Sequence, residues 1–139
     1  MTLIRIHEDA TPEQREVIIN GLRAYNESRA GAPDIRPLIL HLHDEATGEP
    51  VGGIAAHTAF GWMFIELLFV PEAMRGQGHG SALMRKAEEI ARLRHCTGIW
   101  LDTFSFQARA FYERLGYSVF GEINDYPPGE KRFFMAMRL

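Results

Sequence analysis

Alternating hydrophobic and polar positions predict about seven strands along the chain. The segments with this period are "LIRIHE", "PLILHLH", "VGGIAAHTAF", "GWMFIELLFV", "GIWLDTF", "YSVFGEI" and "KRFFMAMRL". Short polar or glycine-containing connections separate the second, third and fourth of these segments, which indicates antiparallel neighbours. The last two segments are predicted to form a final hairpin.

Helical spacing predicts the remaining elements. A first helix follows a capping-box pattern at Thr11 and Gln14 and runs to about Asn26, with a short second helix expected in "ESRAGAPDIR". An amphipathic helix begins near residue 80, and "QARAFYERLG" forms a short helix that Gly116 stops. The predicted order is β-α-(α)-βββ-α-β-α-ββ, a mixed, mostly antiparallel twisted sheet of about seven strands flanked by about four helices.

Composition restricts the class of protein. The length of 139 residues is that of one compact domain, here residues 1–139, and the formal charge of −3 offers no strong field for nucleic acid or a membrane. The single cysteine fits a reducing compartment, and we expect a cytoplasmic protein. Residues 51–70 are mostly apolar, but Glu66 and the Gly61–Trp62 break favour two paired strands over a membrane helix.

The segment "VPEAMRGQGHGSALM" lies between a predicted strand and a predicted helix, and three of its five residues at positions 76–80 are glycine. Helix starts carry unpaired N–H groups that favour an anion, and Arg75 adds a permanent cation, so we expect a pyrophosphate to bind here. A Walker loop is excluded because "GHGSA" lacks the required lysine. A dinucleotide loop is disfavoured because Ser81 stands at its third glycine, although Asp102 imitates the ribose-binding acid.

The loop "RGQGHG" matches Arg/Gln-x-x-Gly-x-Gly/Ala, and with "LLFVPEAMRGQGHGSALM" and "ARAFYERLGY" the chain resembles the GNAT superfamily of acyl-CoA N-acyltransferases. The resemblance implies the GNAT fold and acetyl-CoA as cosubstrate. It implies that the loop's backbone amides wrap the pyrophosphate of coenzyme A; these residues are Arg75, Gly76, Gln77, Gly78, His79, Gly80 and Ser81. It further implies that Leu68, Phe69 and Val70 offer backbone groups to the pantetheine arm.

Two residues are candidates for catalysis. Glu66 is a carboxylate on a strand face that the alternation also assigns to Phe64, Leu68 and Val70, which suits a general base; an exposed or salt-bridged glutamate is the alternative. By resemblance, Tyr112 lies near the coenzyme sulfur, where it could protonate the departing thiolate or hold the sulfur; an aromatic core residue is the alternative. Relatives often carry an asparagine where this chain has Ser105, so Ser105 or Gln107 would substitute for it.

The predicted activity is transfer of acetyl to a primary amine by direct attack in a ternary complex, with a small molecule as acceptor. A protein N-terminus or lysine as acceptor, and a non-catalytic acyl-CoA-binding module, are the alternatives. Aromatic residues including Phe104, Phe106 and Tyr126 are candidates for the acceptor pocket, and the final strands offer an edge for a homodimer. The six histidines show no firm metal-ligand spacing, so no metal is expected.

Overall fold

The computed structural model describes residues 2–139, which fall into two compact units divided between Pro33 and Asp34. The first unit contains an irregular segment and helix α1, Pro12–Ala30. Thr11 caps this helix as predicted: its hydroxyl accepts from the Gln14 amide at 3.2 Å, and the Gln14 side chain accepts from the Thr11 amide at 2.8 Å. The capping box therefore fixes where α1 begins.

Two predictions for the first unit are wrong. The segment "LIRIHE" is not a strand, and its residues Leu3, Ile4 and Ile6 are exposed. Alternating hydrophobic and polar residues suit a half-buried strand. A strand also needs a partner backbone, and the local sequence pattern does not determine whether one is present. The expected second short helix is also absent within residues 2–35, because "ESRA" continues α1 to Ala30 and no further helix follows.

The second unit is built on one six-stranded sheet, one strand fewer than predicted. Its strands are β1 (Arg36–His43), β2 (Pro50–Ala59), β3 (Trp62–Phe69), β4 (Gly98–Phe104), β5 (Ser118–Asn124) and β6 (Lys131–Arg138). They lie in the order β1-β2-β3-β4-β6-β5, and only the β3–β4 pair is parallel. The predicted mixed, mostly antiparallel sheet and its final hairpin are thus confirmed.

Two α-helices and one short 3₁₀ turn complete the second unit. The 3₁₀ turn spans Glu72–Met74, helix α2 spans His79–Leu93, and helix α3 spans Arg109–Arg114. The apolar stripe of α2 is buried as predicted, through Leu83, Met84, Ala87 and Ala91. It packs in one core with the buried face of the sheet, whose fully buried side chains are Met63, Ile99, Leu101 and Met135. Within residues 2–139, no helix is long and apolar enough to cross a membrane.

The parallel pair β3–β4 is joined along only half its length. Paired residues run from Trp62 with Gly98 to Ile65 with Leu101, and beyond Ile65 the two strands have no ladder between them. A β-bulge interrupts the other side of β3 at the same height: Ala56 pairs with Ile65 and Ala55 with Leu67, so that Glu66 has no partner. Because a bulge bends its strand, β3 diverges from β4 and a gap opens in the sheet.

We expect Ile99→Ala to lower the free energy of unfolding by about 2–5 kcal/mol, because it leaves a cavity in the middle of the core. Ile99 is 0% exposed on β4, whereas Ile39 on β1 is 58% exposed. The matched change Ile39→Ala should therefore cost less than about 1 kcal/mol. Urea unfolding of both variants measures the difference, and equal costs would contradict the assigned core.

Candidate active site

A cavity of about 1260 Å³ lies where β3 and β4 diverge. One wall is the free end of β3 from Ile65 to Val70, and the opposite wall is the end of β4 from Leu101 to Phe104. The glycine loop and the start of α2 border it, and α3 closes it through Phe111 and Tyr112. Most of the residues predicted for the site are therefore brought together around one opening in the sheet.

The glycine loop leaves the first turn of α2 without a cap. Gly76 and Gly78 adopt left-handed conformations, with φ of 76° and 84°, which favour glycine, and nothing lies within 4 Å of a Cβ atom built on either residue. Gly78 is the N-cap, and no side chain bonds the first amides of α2. In contrast to α1, this helix start therefore presents free N–H groups and partial positive charge to the cavity.

Gly80 has a different reason to be glycine. A Cβ atom at this position would lie 3.2 Å from the ring of Phe111, so the missing side chain allows α3 to pack closely against α2. His79, Gly80 and Ser81 all line the cavity. The third glycine of the motif thus serves packing between the helices, whereas the first two shape an open loop.

The side chains of the loop face in different directions. Arg75 lines the cavity and its Nε donates to the carbonyl of Val70 at 2.9 Å, which ties the loop to the end of β3. The side chain of Gln77 donates to the carbonyl of Ala73 at 3.3 Å, and Gln77 is not among the residues that line the cavity. Arg75 is thus the cation of this loop, held at the cavity wall.

Beyond the bulge, the side chains of β3 exchange faces. Leu68 and Val70 pack against the core, and Glu66 and Leu67 are exposed on the other side. The predicted common face of Glu66, Leu68 and Val70 is therefore wrong, because one extra residue shifts the alternation. Glu66 lines the cavity and is 43% exposed rather than buried.

Glu66 contacts a residue that the sequence analysis did not assign to the site. His57 on β2 places Nδ1 2.5 Å from Glu66 Oε1. The signal for this contact was the tight turn between β2 and β3, which pairs His57 with Phe64 and brings Glu66 diagonally opposite. On the other side of β2, the register pairs His57 with Pro37 of β1. Within residues 2–139 no group of side chains is arranged to hold a metal ion.

Tyr112 lies in the wall of the cavity and is 8% exposed. Burial, and secondarily the negative charge of Asp102, raise the pKa of Tyr112 to about 12. Its ring meets those of Phe111 and Tyr117 edge-to-face, at centroid distances of 5.1 and 6.1 Å. The phenol is therefore both a packed aromatic residue and a neutral hydrogen-bond donor at the cavity.

Gln107 and Ser105 hold the chain between β4 and α3. The side-chain oxygen of Gln107 accepts from the Phe104 amide at 2.8 Å, and Gln107 lines the cavity. Ser105 donates its hydroxyl to Glu130 and accepts from the Lys131 amide at 2.9 Å, and it is not among the residues that line the cavity. Of the two predicted substitutes for the family's asparagine, Gln107 alone is among the lining residues.

An aromatic cluster flanks the same opening. Phe104 stacks on Phe106 at 5.2 Å and on Tyr126 at 5.6 Å, and both phenylalanines line the cavity. Arg132 donates to Asp102 at 2.9 Å and to the Tyr126 hydroxyl at 3.0 Å, and the bond to Asp102 raises the pKa of Arg132. This ion pair fixes the aromatic side chains beside the end of β4.

Comparison with known proteins agrees with this geometry. The model of the Acetyltransferase (GNAT) family matches residues 3–117. An acetyltransferase from Agrobacterium fabrum is 41% identical over 129 residues, 93% of each chain. The blasticidin-S acetyltransferase of Streptomyces morookaense is 43% identical over 83 residues, 59% of this chain and 61% of that protein.

The fold agrees as well. A crystal structure of an acetyltransferase-family protein from Agrobacterium tumefaciens superimposes with a TM-score of 0.92 and 36% identity, over 99% of this chain and 100% of that one. The family match covers β3, the glycine loop and β4. The chain therefore belongs to the GNAT family of acetyltransferases.

Proposed function

We propose that this protein transfers the acetyl group of acetyl-CoA to a primary amine of a small molecule, by direct attack while both substrates are bound. The observation that carries the proposal is the divergence of β3 from β4 beside the uncapped start of α2. A ligand whose anionic group binds at the helix start could extend a linear arm into the gap between the strands. Acetyl-CoA has this form, with a pyrophosphate at one end and a thioester at the other.

The residues at the helix start fit the pyrophosphate. The open space at Gly76 and Gly78 lets an anion approach the backbone, and the free amides of His79 and its neighbours would donate to it. Arg75 adds a charge at the cavity wall. Past Ile65, the backbone of Leu68, Phe69 and Val70 has no β4 partner, so it would be available to the pantetheine arm on that side, apart from the Val70 carbonyl that Arg75 bonds.

In the reaction, the acceptor nitrogen forms a bond to the acetyl carbon and the carbon–sulfur bond breaks. Glu66 would take the proton from the nitrogen, and the sulfur leaves as a thiolate that requires a proton or a hydrogen bond. With a pKa of about 12, Tyr112 is a poor acid toward a thiolate, whose conjugate acid has a pKa near 8.5. We therefore assign Tyr112 to hydrogen bonding of the sulfur rather than to full proton transfer.

The acceptor class is inferred from the opening and from a relative. Phe104 and Phe106 provide a stacked apolar wall in the cavity that Glu66 also lines, which suits a compact acceptor with a flat ring. Blasticidin S, the substrate named for one relative, is a small molecule. Acetylation of a protein amine is the second candidate. We further propose that residues 1–139 act as one cytoplasmic domain, with β5 as the free edge for a homodimer.

We expect Gly78→Ala to weaken acetyl-CoA binding at least about tenfold, because a side chain would stand where the pyrophosphate approaches. Gly129 offers a matched control: its φ is also 84° and its Cβ position is also open. Both variants should lose about 1–2 kcal/mol of stability through the left-handed backbone. Calorimetric titration with acetyl-CoA measures binding, and equal affinities for the two variants would contradict the assignment.

We expect Tyr112→Phe to lower kcat about 10- to 100-fold with the KM for acetyl-CoA within about threefold, because only the departing sulfur loses its donor. Since the pKa of Tyr112 is about 12, its ionisation should produce no descending limb in wild-type kcat below about pH 10. Tyr117→Phe is the control, a buried tyrosine outside the cavity lining. Release of the free thiol of coenzyme A measures the activity of both variants. Full activity in Tyr112→Phe would exclude hydrogen bonding of the departing sulfur by Tyr112.

We expect Glu66→Gln to lower kcat about 100- to 1000-fold at neutral pH and below, where the acceptor amine is protonated, and less at high pH. Glu122→Gln is the matched control, since Glu122 is also an exposed strand carboxylate, 44% exposed against 43% for Glu66. The pH–rate profiles of both variants test the role of Glu66. An unchanged profile for Glu66→Gln would show that another group removes the proton.

A further inference from the structure

The contact between His57 and Glu66 joins an imidazole to the carboxylate at the opening of the sheet. Nδ1 of His57 lies 2.5 Å from Oε1 of Glu66. Both side chains are partly exposed, 35% for His57 and 43% for Glu66. An ionised carboxylate only accepts hydrogen bonds, so Nδ1 is the donor and the neutral ring carries its proton on that nitrogen.

The sheet holds the imidazole in this place. His57 is directly opposite Phe64 across the β2–β3 ladder, and its ring meets that of Phe64 edge-to-face at 5.8 Å. Phe64 stacks in turn on Trp100 of β4, with ring centroids 4.0 Å apart. The orientation of the imidazole is therefore set by the ring of Phe64, which Trp100 supports from behind, as well as by the carboxylate.

The bulge places Glu66 so that it contacts His57 and also lines the cavity. Glu66 has no partner across β2, and it lines the cavity, whereas His57 is not among the lining residues. With Oε1 occupied by His57, Oε2 is the oxygen left for the acceptor amine. The imidazole thus contacts the proposed base on the side away from the reacting atoms.

We infer that His57 is a positioning residue that fixes the carboxylate of Glu66 in an orientation that leaves Oε2 for the acceptor amine. This inference rests on the proposed role of Glu66 as the base. The amine proton passes to Oε2 of Glu66 as the nitrogen–carbon bond forms, and His57 keeps its proton on Nδ1 throughout.

Other charged groups line the same cavity as Glu66, namely Asp102, Arg75, His79 and Arg114. Asp102 is held by Arg132 of β6, and Arg75 donates to the carbonyl of Val70. On β1 the residues opposite His57 and Ala55 are Pro37 and Ile39, which carry no charge. Within residues 2–139, His57 is the side chain that hydrogen-bonds the carboxylate of Glu66.

Two substitutions test the hydrogen bond. His57→Asn places an amide donor near the position of Nδ1, and we expect its kcat to stay within about threefold of wild type. His57→Leu removes the donor, and we expect kcat to fall at least about tenfold, with the KM for acetyl-CoA within about twofold.

His41→Asn is the control, since His41 lies on β1 and its ring packs against that of His43. Its kcat should match that of wild type. Equal kcat values for His57→Asn and His57→Leu, or a His57→Leu variant with full kcat, would overturn the inference. Thermal unfolding of each variant identifies losses of activity that come from misfolding.

Nitrogen NMR of the histidine rings tests the pair without turnover. We expect His57 of the wild-type protein to carry its neutral-form proton on Nδ1, and Glu66→Ala to shift the ring toward the Nε2–H tautomer. An unchanged tautomer in Glu66→Ala would overturn the inference even if Glu66 is the base. Full activity of Glu66→Gln would instead reject the base, and with it the catalytic part of the inference, while the NMR result still reports the contact.

Discussion

The site depends on the early end of the ladder between β3 and β4. Parallel strands in the middle of a sheet normally remain paired, because unpaired backbone groups in a protein interior are costly. Here pairing stops after Ile65 with Leu101, and the bulge at Glu66 bends β3 away at the same height. One irregular residue therefore opens the sheet, leaves backbone groups free along the gap, and turns a carboxylate toward the opening.

The two longer helices show how the same chain completes one helix start and leaves another free. At α1, Thr11 and Gln14 bond the first amides reciprocally, so that helix start is satisfied by its own residues. At α2, Gly78 provides the N-cap and no side chain bonds the amides. The difference is a matter of residue type at the cap, and it leaves the first amides of α2 free next to the gap in the sheet.

Burial gives the two proposed catalytic residues different environments. Tyr112 is enclosed by aromatic rings, which raises its pKa to about 12 and keeps the phenol neutral. Glu66 remains partly exposed and is held by an imidazole. In the proposed reaction, the neutral phenol would serve the departing sulfur and the carboxylate would serve the attacking nitrogen.

Local sequence determined much of this protein. The capping box of α1, the apolar stripe of α2, the glycine loop and the final hairpin depend on residues close together in the chain, so their patterns predict them directly. Tertiary structure decided the rest. The absence of a strand in "LIRIHE", the face of Leu68, the closeness of Phe111 to Gly80 and the contact of His57 with Glu66 all depend on which backbone segments pair and where a bulge shifts the register. Alternation along one strand carries no information about its partner, and a single unpaired residue reverses every face beyond it.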